Sequence, residues 1–338
     1  MLARGCPPEA PGGRARGGIR GGGPRGCGPP HGRQRRGRVN SRDQDDVRRV
    51  YDARWRKLFA PRTGDLRRDA AAEAADYLGL PMSEALARLD GASERFTDEW
   101  KAHVPGTADT GTLTEFYNES ETELFDLLEW HATDEGNHRA LVCADQLMRR
   151  HPAGAVLDYG SGIGTAGIVL ADAGFEVTLA DVADPLLDFA RWRFARRGLP
   201  VRTIDLKRET PRVAAYHGIV CFDVLEHIPR PQRVVRRLRD ALVVDGVLFV
   251  FAPFGLDPRR PMHVVHDDGV YHRMAAMGLA RQGPWEDEFP PYMWGARPNI
   301  YARVEAPAWK RAAYYTRDVL LPDRAADVLT SALRRVRT

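Results

Sequence analysis

The hydrophobic and polar positions along the chain change their pattern near residue 150. From Arg42 to Arg150 apolar residues recur at helical spacing, as in Val47, Tyr51 and Trp55, and no strand-like alternation interrupts them. Proline and glycine residues divide this stretch into three or four predicted helices, of which residues 112–131 form one long amphipathic helix. The pattern therefore predicts an all-α accessory region over residues 41–150.

From Ala155 onward, short apolar runs alternate with helical segments. Strands are predicted near residues 154–159, 175–181, 200–204, 218–223 and 246–252, with helices between them near 164–173, 184–197 and 231–241. Connections that contain a helix require parallel strands. The sequence thus predicts a doubly wound, mostly parallel α/β domain over residues 151–338, ending in a helix near 323–336.

Charge is distributed unevenly over the 338 residues, whose formal net charge is +4. Residues 1–40 hold nine arginines against the single acid Glu9, a net +8, so the remainder of the chain carries −4. The same forty residues include twelve glycines and six prolines and almost no large apolar side chains. We expect a disordered tail there, because so few apolar groups cannot offset the entropy of ordering.

Composition also bears on partners and location. The Arg-Gly runs of the tail could neutralise phosphates, but the tail has no aromatic residue to stack on bases, and the rest of the chain is acidic. We therefore expect no nucleic-acid partner. No apolar run approaches the roughly 18 residues of a membrane span, the first residues lack a secretory signal, and the four cysteines show no CxxC spacing. These features predict a cytoplasmic protein without a membrane partner.

A glycine-rich loop follows the first predicted strand of the α/β region. Asp158 ends the strand, Gly160, Gly162 and Gly164 follow, and a helix then begins. Glycines allow a tight turn and a close approach to a ligand, and the helix N-terminus offers free N–H groups. Residues 162–167 also satisfy the GxGxxG pattern of dinucleotide binders, so the loop alone does not identify its nucleotide. An acid at 158 would repel a pyrophosphate but suits a ligand with a cationic amino group.

Two further acids end successive predicted strands. Asp181 comes at the tip of the second strand, where a carboxylate can accept hydrogen bonds from both ribose hydroxyls. Asp205 comes at the tip of the third strand and could accept from an adenine amino group. The alternative is that these acids only cap helices or turns. Their common position at strand ends favours a nucleoside-binding site.

The fourth predicted strand runs into Phe222-Asp223-Val224-Leu225-Glu226-His227-Ile228-Pro229. Together with the glycine loop and the strand-end acids, this motif resembles the class I S-adenosylmethionine (SAM) dependent methyltransferases, in the branch with LDxGxGxG and DVLEHIP, over about residues 140–280. The resemblance implies a seven-stranded Rossmann-like sheet, with SAM as cofactor and S-adenosylhomocysteine (SAH) as its product. The cofactor-binding residues it implies are Asp158, Gly160, Ser161, Gly162, Gly164, Asp181, Val182, Asp205, Leu206, Phe222 and Asp223.

The resemblance predicts methylation of oxygen, nitrogen or carbon on a small-molecule acceptor, in bacterial specialised metabolism such as antibiotic biosynthesis. An alternative is an enzyme of the same fold that keeps SAM or SAH but catalyses a cyclisation or an elimination. A third hypothesis is a scaffold subunit in which the bound cofactor only stabilises the fold. A homodimer or a pathway partner protein is compatible with each of these.

Methyl transfer needs a base only when the acceptor atom is protonated. The candidates are His227, His263 and His266, for which a structural role is the alternative. No metal site is expected, although Asp223, Glu226 and His227, with His263, could instead hold Mg²⁺, Mn²⁺ or Zn²⁺.

Two aromatic segments are candidate walls of the acceptor site. The first precedes strand one and would form a lid, or else simply pack its apolar face; its members are Phe116, Tyr117, Asn118, Phe125, Trp130, His131 and His138. The second is the Pro-rich segment 285–301, whose aromatic side chains must pack on something.

Overall fold

The computed structural model describes residues 41–104, 106, 109–255, 257–265, 268–305 and 307–316. The predicted tail over residues 1–40 and the predicted helix near 323–336 lie outside these ranges. Within them, no helix combines the length and the apolar composition that crossing a membrane requires.

Among the described residues, seven α-helices precede the first strand. They are α1 (Ser41–Phe59), α2 (Leu66–Leu78), α3 (Met82–Leu89), α4 (Ala92–His103), α5 (Thr110–Glu119), α6 (Glu123–Thr133) and α7 (Arg139–Arg150). The helical character of this region is confirmed, but the prediction of three or four helices was wrong. The prediction of one long helix over residues 112–131 was also wrong, because α5 and α6 are separate.

The break between α5 and α6 is fixed by a contact from another helix. Glu99 on α4 accepts a hydrogen bond from the Ser120 hydroxyl at 2.7 Å and another from the backbone N–H of Glu121 at 2.9 Å. The Ser120 hydroxyl oxygen also accepts from the N–H of Glu123 at 3.1 Å. Serine competes in this way for the backbone donors of a new helix, so the chain turns there.

Seven strands form one sheet. They are β1 (Ala155–Tyr159), β2 (Glu176–Asp181), β3 (Arg202–Asp205), β4 (Tyr216–Phe222), β5 (Leu242–Phe251), β6 (Leu279–Arg281) and β7 (Asn299–Arg303). Their order is β3-β2-β1-β4-β5-β7-β6; the first five are parallel, and β7 is antiparallel to both of its neighbours. The predicted doubly wound, mostly parallel, seven-stranded fold is confirmed.

The remaining helices cover the two faces of this sheet or connect its strands. They are α8 (Thr165–Asp172), α9 (Asp184–Arg196), α10 (Pro231–Ala241), α11 (Gly269–Arg273), α12 (Gly283–Glu286) and α13 (Ala308–Tyr315). Central strands are apolar throughout because both faces are covered. One buried cluster joins Phe249 of β5 and Val156 of β1 to Trp55 of α1. The helical region therefore contributes to the same core as the sheet, and the domain boundary at residue 150 stays a prediction.

Candidate active site

The strand order reverses between β1 and β4, whose outgoing chains leave on opposite sides of the sheet. Ligands of open α/β sheets bind at such a switch point, outside the carboxyl ends of the strands. A cavity of about 1610 Å³ lies there, and residues of α4, α5 and α6 form part of its lining. This volume exceeds that of an ordinary single-ligand pocket, so the cavity has room for two molecules.

The glycine loop forms one wall of the cavity through Gly160, Ser161 and Gly162. Gly160 has a φ of +67°, and a Cβ at this position would clash with the side chain of Val224. Gly164 is not among the residues that line the cavity. Its missing side chain instead lets α8 pack on α9, since a Cβ there would lie 3.0 Å from that of Ala190. The geometry thus gives Gly164 a packing role, and its contact with the cofactor remains a prediction.

Asp158 lies at the floor of the cavity and is only 4% exposed. One carboxyl oxygen accepts a hydrogen bond from the N–H of Gly167 at 2.8 Å. Burial raises the pKa of Asp158 to about 8, against an ordinary value of 3.8. Without a cationic neighbour this carboxyl group therefore holds a proton at neutral pH.

Asp181 is buried at the tip of β2, beside the glycine loop. One carboxylate oxygen accepts from the N–H of Gly162 at 2.7 Å, and the other accepts from those of Val182 at 2.7 Å and Ala183 at 3.0 Å. Desolvation raises the pKa of Asp181, while these three donors oppose the rise. Asp181 and Val182 both line the cavity, as predicted for a ribose-binding position.

Asp205 at the tip of β3 is not among the cavity-lining residues. Its carboxylate lies 3.0 Å from the ammonium of Lys207 and accepts from the Lys207 backbone N–H at 2.9 Å. The Lys207 ammonium also donates to the carbonyl of Val182 at 2.6 Å. Leu206 and Lys207 reach the cavity in its place. The adenine contact assigned to Asp205 thus remains a prediction, and the geometry shows the residue positioning this loop.

Phe222 and Asp223 line the cavity at the end of β4. Asp223 has a φ of +55°, and its carboxylate forms an ion pair with the guanidinium of Arg139 on α7. Arg139 is only 2% exposed, and its guanidinium lies 4.8 Å from the ring centroid of Phe222 and 4.6 Å from that of Phe251. Arg139 was not predicted, because no pattern in the sequence of α7 distinguishes it from a solvated arginine.

Three polar side chains converge beyond Asp223. One ligand atom each of Glu226, His227 and His263 lies within 4.8 Å of the other two. Glu226 is fully buried, and neither of its carboxylate oxygens has a hydrogen-bond partner among the described residues. Nδ1 of His227 lies 3.1 Å from the hydroxyl of Tyr117 on α5.

The structure therefore brings His227 and His263 together on the cavity wall, with their ring centroids 5.0 Å apart. Burial, together with the charge of His263, lowers the pKa of His227 to about 3. The third predicted catalytic residue, His266, lies outside the described residues. Asp223 does not belong to the three-residue group, so its predicted share in a metal site is not part of this geometry.

The predicted lid segment divides between cavity and core. Tyr117, Asn118, Trp130 and His131 line the cavity. The remaining members pack inside the protein; they are Phe116, Phe125 and His138.

The second predicted wall, segment 285–301, was wrong: none of its described residues lines the cavity. Trp285 packs instead against Phe249 of β5 and lies 3.5 Å from the guanidinium of Arg150. Its aromatic groups thus cover the sheet rather than a ligand.

Comparisons with known proteins agree with this geometry. Residues 157–248 match the family model for a methyltransferase domain. The ubiquinone biosynthesis O-methyltransferase of Xanthomonas axonopodis pv. citri is 33% identical over 108 residues, which are 30% of this chain and 44% of that protein. Its namesake from Xylella fastidiosa is 36% identical over 116 residues, 32% of this chain and 46% of that protein. The chain thus spans less than half the length of these curated relatives.

Among solved structures, that of the 1,6-didemethyltoxoflavin-N1-methyltransferase of Burkholderia thailandensis aligns with this chain. The alignment covers 60% of this chain and 93% of that chain, at 16% identity and a TM-score of 0.45. The matched family segment contains the last three residues of β1, the glycine loop, Asp181 and Asp223. The matched segment is similar to a methyltransferase domain, and this match supports SAM as the cofactor.

Proposed function

We propose that this protein transfers the methyl group of SAM to a small-molecule acceptor. One observation carries the proposal: a single cavity at the switch point of the sheet is lined by Asp158, the glycine loop, Asp181 and Asp223. Residues 157–248, which include all of these, match a methyltransferase domain. The cavity's volume of about 1610 Å³ accommodates a cofactor and an acceptor side by side.

In this proposal the chain's own residues bind and orient SAM. Asp181 uses its one remaining acceptor site for a ribose hydroxyl, since a carboxylate has about four acceptor sites and three are occupied. Gly160 and Gly162 let the backbone approach the cofactor, and Asp158 faces its amino group. Phe222 and Asp223 line the cavity, and in this proposal they lie beside the cofactor and face the acceptor.

The reaction itself is an in-line displacement. The acceptor atom forms a bond to the methyl carbon, the carbon–sulfur bond breaks with its electron pair staying on sulfur, and SAH results. Holding acceptor, methyl and sulfur collinear in a water-poor cavity supplies much of the rate. His227, His263 and His266 remain the candidates to take the acceptor's proton; the first two line the cavity.

Incubation of the purified protein with SAM and a panel of phenols, amines and activated carbon acids tests the proposal. We expect one product heavier by one methyl group, formed together with an equal amount of SAH. A product of unchanged mass, as from a cyclisation, or of lower mass, as from an elimination, formed by the wild type but not by Asp181→Asn, would support the alternative without methyl transfer. SAM binding without any product would favour a scaffold subunit.

A second candidate for the acceptor side is a divalent metal ion, which the grouping of Glu226, His227 and His263 favours. A fully buried carboxylate without a hydrogen-bond donor is costly, and a cation between it and two imidazoles would satisfy it. Such mixed oxygen and nitrogen ligands suit Mn²⁺ or Zn²⁺.

Titration with Mn²⁺, followed by electron paramagnetic resonance, tests this site directly. Glu226→Gln should abolish stoichiometric Mn²⁺ binding. Glu123→Gln is the matched control, because Glu123 also lines the cavity with a buried, unpartnered oxygen but stands outside the three-residue group. Full methyl transfer after chelation and desalting would rule the metal out.

We also propose a cytoplasmic location and a role in bacterial specialised metabolism. Cys143 and Cys221 are buried and free, which suits a reducing compartment. The chain has 50 basic side chains, of which only four are lysines, and this bias is typical of GC-rich bacterial coding sequences. The partner in this proposal is a small-molecule substrate, with no nucleic acid and no membrane.

A further inference from the structure

A chain of hydrogen bonds connects the helical region to the first turn of α8, directly after the glycine loop. The hydroxyl oxygen of Thr165 lies 2.8 Å from Nδ1 of His131 on α6. Nη1 of Arg193 on α9 donates to that same oxygen at 2.9 Å and to the carbonyl of Ile163 at 2.8 Å. Nε of Arg193 donates to Glu73 on α2 at 2.8 Å. Four separate elements are thereby joined.

These bonds are compatible with one tautomer of His131 in particular. A guanidinium only donates, so the Thr165 oxygen accepts from Arg193 and can point its own hydrogen to Nδ1 of His131. Burial and the charges of Arg193 and Arg139 lower the pKa of His131 to about 3, so the imidazole is neutral. With the Thr165 hydrogen on Nδ1, the single proton of the ring resides on Nε2.

The Nε2–H of His131 then has no hydrogen-bond acceptor among the described residues. The imidazole ring that carries it lines the cavity. Arg139 and Arg193 lie close enough to depress the pKa of His131, and each of them is paired with a carboxylate, Asp223 and Glu73 respectively. A hydrogen bond from this N–H to an anionic acceptor is stronger than one to a neutral acceptor, so an anion suits the position. The position beside Thr165, at the end of the cofactor loop, favours the cofactor over the acceptor as the source of that anion.

We infer that His131 binds the carboxylate of the methionine portion of SAM through Nε2–H, and that Glu73, Arg193 and Thr165 act as positioning residues that hold the required tautomer. The inference rests on the proposed function, since it assumes that SAM occupies the cavity. It makes two helices of the N-terminal region, α2 and α6, part of the cofactor site.

Comparing the affinities of two ligands isolates the contact with the carboxylate. The first ligand is SAH, and the second is decarboxylated SAH, which lacks the carboxylate but keeps the amino group. Calorimetry should show that His131→Leu weakens SAH about tenfold to a hundredfold, since a hydrogen bond to a charged group contributes about 1.5–3 kcal/mol. Binding of decarboxylated SAH should not change. His131→Gln, which can place an N–H near the same point, should recover most of the SAH affinity. His103→Leu, on an exposed histidine of α4, is the control.

The tautomer is read independently by ¹⁵N NMR of the imidazole. Wild type and Thr165→Ser should show His131 protonated at Nε2 alone, whereas Thr165→Val should mix the two tautomers and weaken SAH more than decarboxylated SAH. Equal weakening of both ligands by His131→Leu, or an Nδ1-protonated ring in the wild type, would overturn the inference while leaving the proposed function intact. Failure of the wild type to bind either ligand would overturn the proposed function and the inference with it.

Discussion

Replacement of Asp181 by asparagine perturbs the cofactor site at one atom. The carboxylate accepts from the N–H of Gly162 at 2.7 Å on one oxygen and from those of Val182 and Ala183 on the other. An asparagine can keep the second pair of bonds with its carbonyl oxygen, but its NH₂ group then faces the Gly162 donor. A lost hydrogen bond to a charged acceptor costs about 1.5–3 kcal/mol, and Asp181→Asn should lower the free energy of unfolding by that amount.

The same substitution should weaken SAH binding by about ten- to a hundredfold, because the ribose hydroxyls would lose their charged acceptor. Isothermal calorimetry measures the affinity, and urea denaturation of the same samples measures the stability. Asp188→Asn is the control, since Asp188 is an exposed carboxylate on α9 that pairs with Arg191. A folded Asp181→Asn protein with unchanged SAH affinity would refute the assignment of the ribose site.

Two further substitutions test the loop and the floor of the cavity. Gly160→Ala should have a melting temperature well below that of Gly174→Ala. Both positions have positive φ, but only at residue 160 would a Cβ also clash with Val224. Equal decreases in melting temperature for the two variants would contradict the packing argument. Burial raises the pKa of Asp158 to about 8, so between about pH 4 and pH 8 the ligand-free native state binds one more proton than the unfolded state. The free energy of unfolding therefore falls with rising pH, by up to about 1.4 kcal/mol per pH unit. Asp158→Asn should flatten that slope in urea denaturation at pH 5 and pH 8, and parallel slopes for the two proteins would exclude the proton on Asp158.

The five parallel strands were predictable because local sequence and tertiary burial agree there. Strands covered on both faces are apolar at nearly every position, as in β4 and β5, and such runs are visible without a structure. β6 has only three residues, too few for a pattern, and the seven-stranded count came from the family resemblance. The division of the predicted 112–131 helix was not predictable, because it depends on Glu99 of a different helix.

The acids of the candidate site were predictable for the same reason, since parallel strands end at one edge of the sheet and Asp158 and Asp181 stand at such ends. Arg139 and Arg193 were not predictable. Arginine is normally solvated, and nothing in the sequence of α7 or α9 indicates that these two are buried. Their burial follows from partners far along the chain, Asp223 for the first and Glu73 for the second.

Those two ion pairs also bear on what the N-terminal helices are. Arg139 of α7 neutralises Asp223 at the end of β4, and Glu73 of α2 neutralises Arg193 of α9. Replacing Arg139 or Glu73 alone would leave an uncompensated buried charge, which costs about 3–5 kcal/mol. One such loss is a large part of the whole stability of an ordinary domain. The change in sequence pattern near residue 150 therefore marks a change of secondary structure, and the helices before it share buried ion pairs with the α/β region.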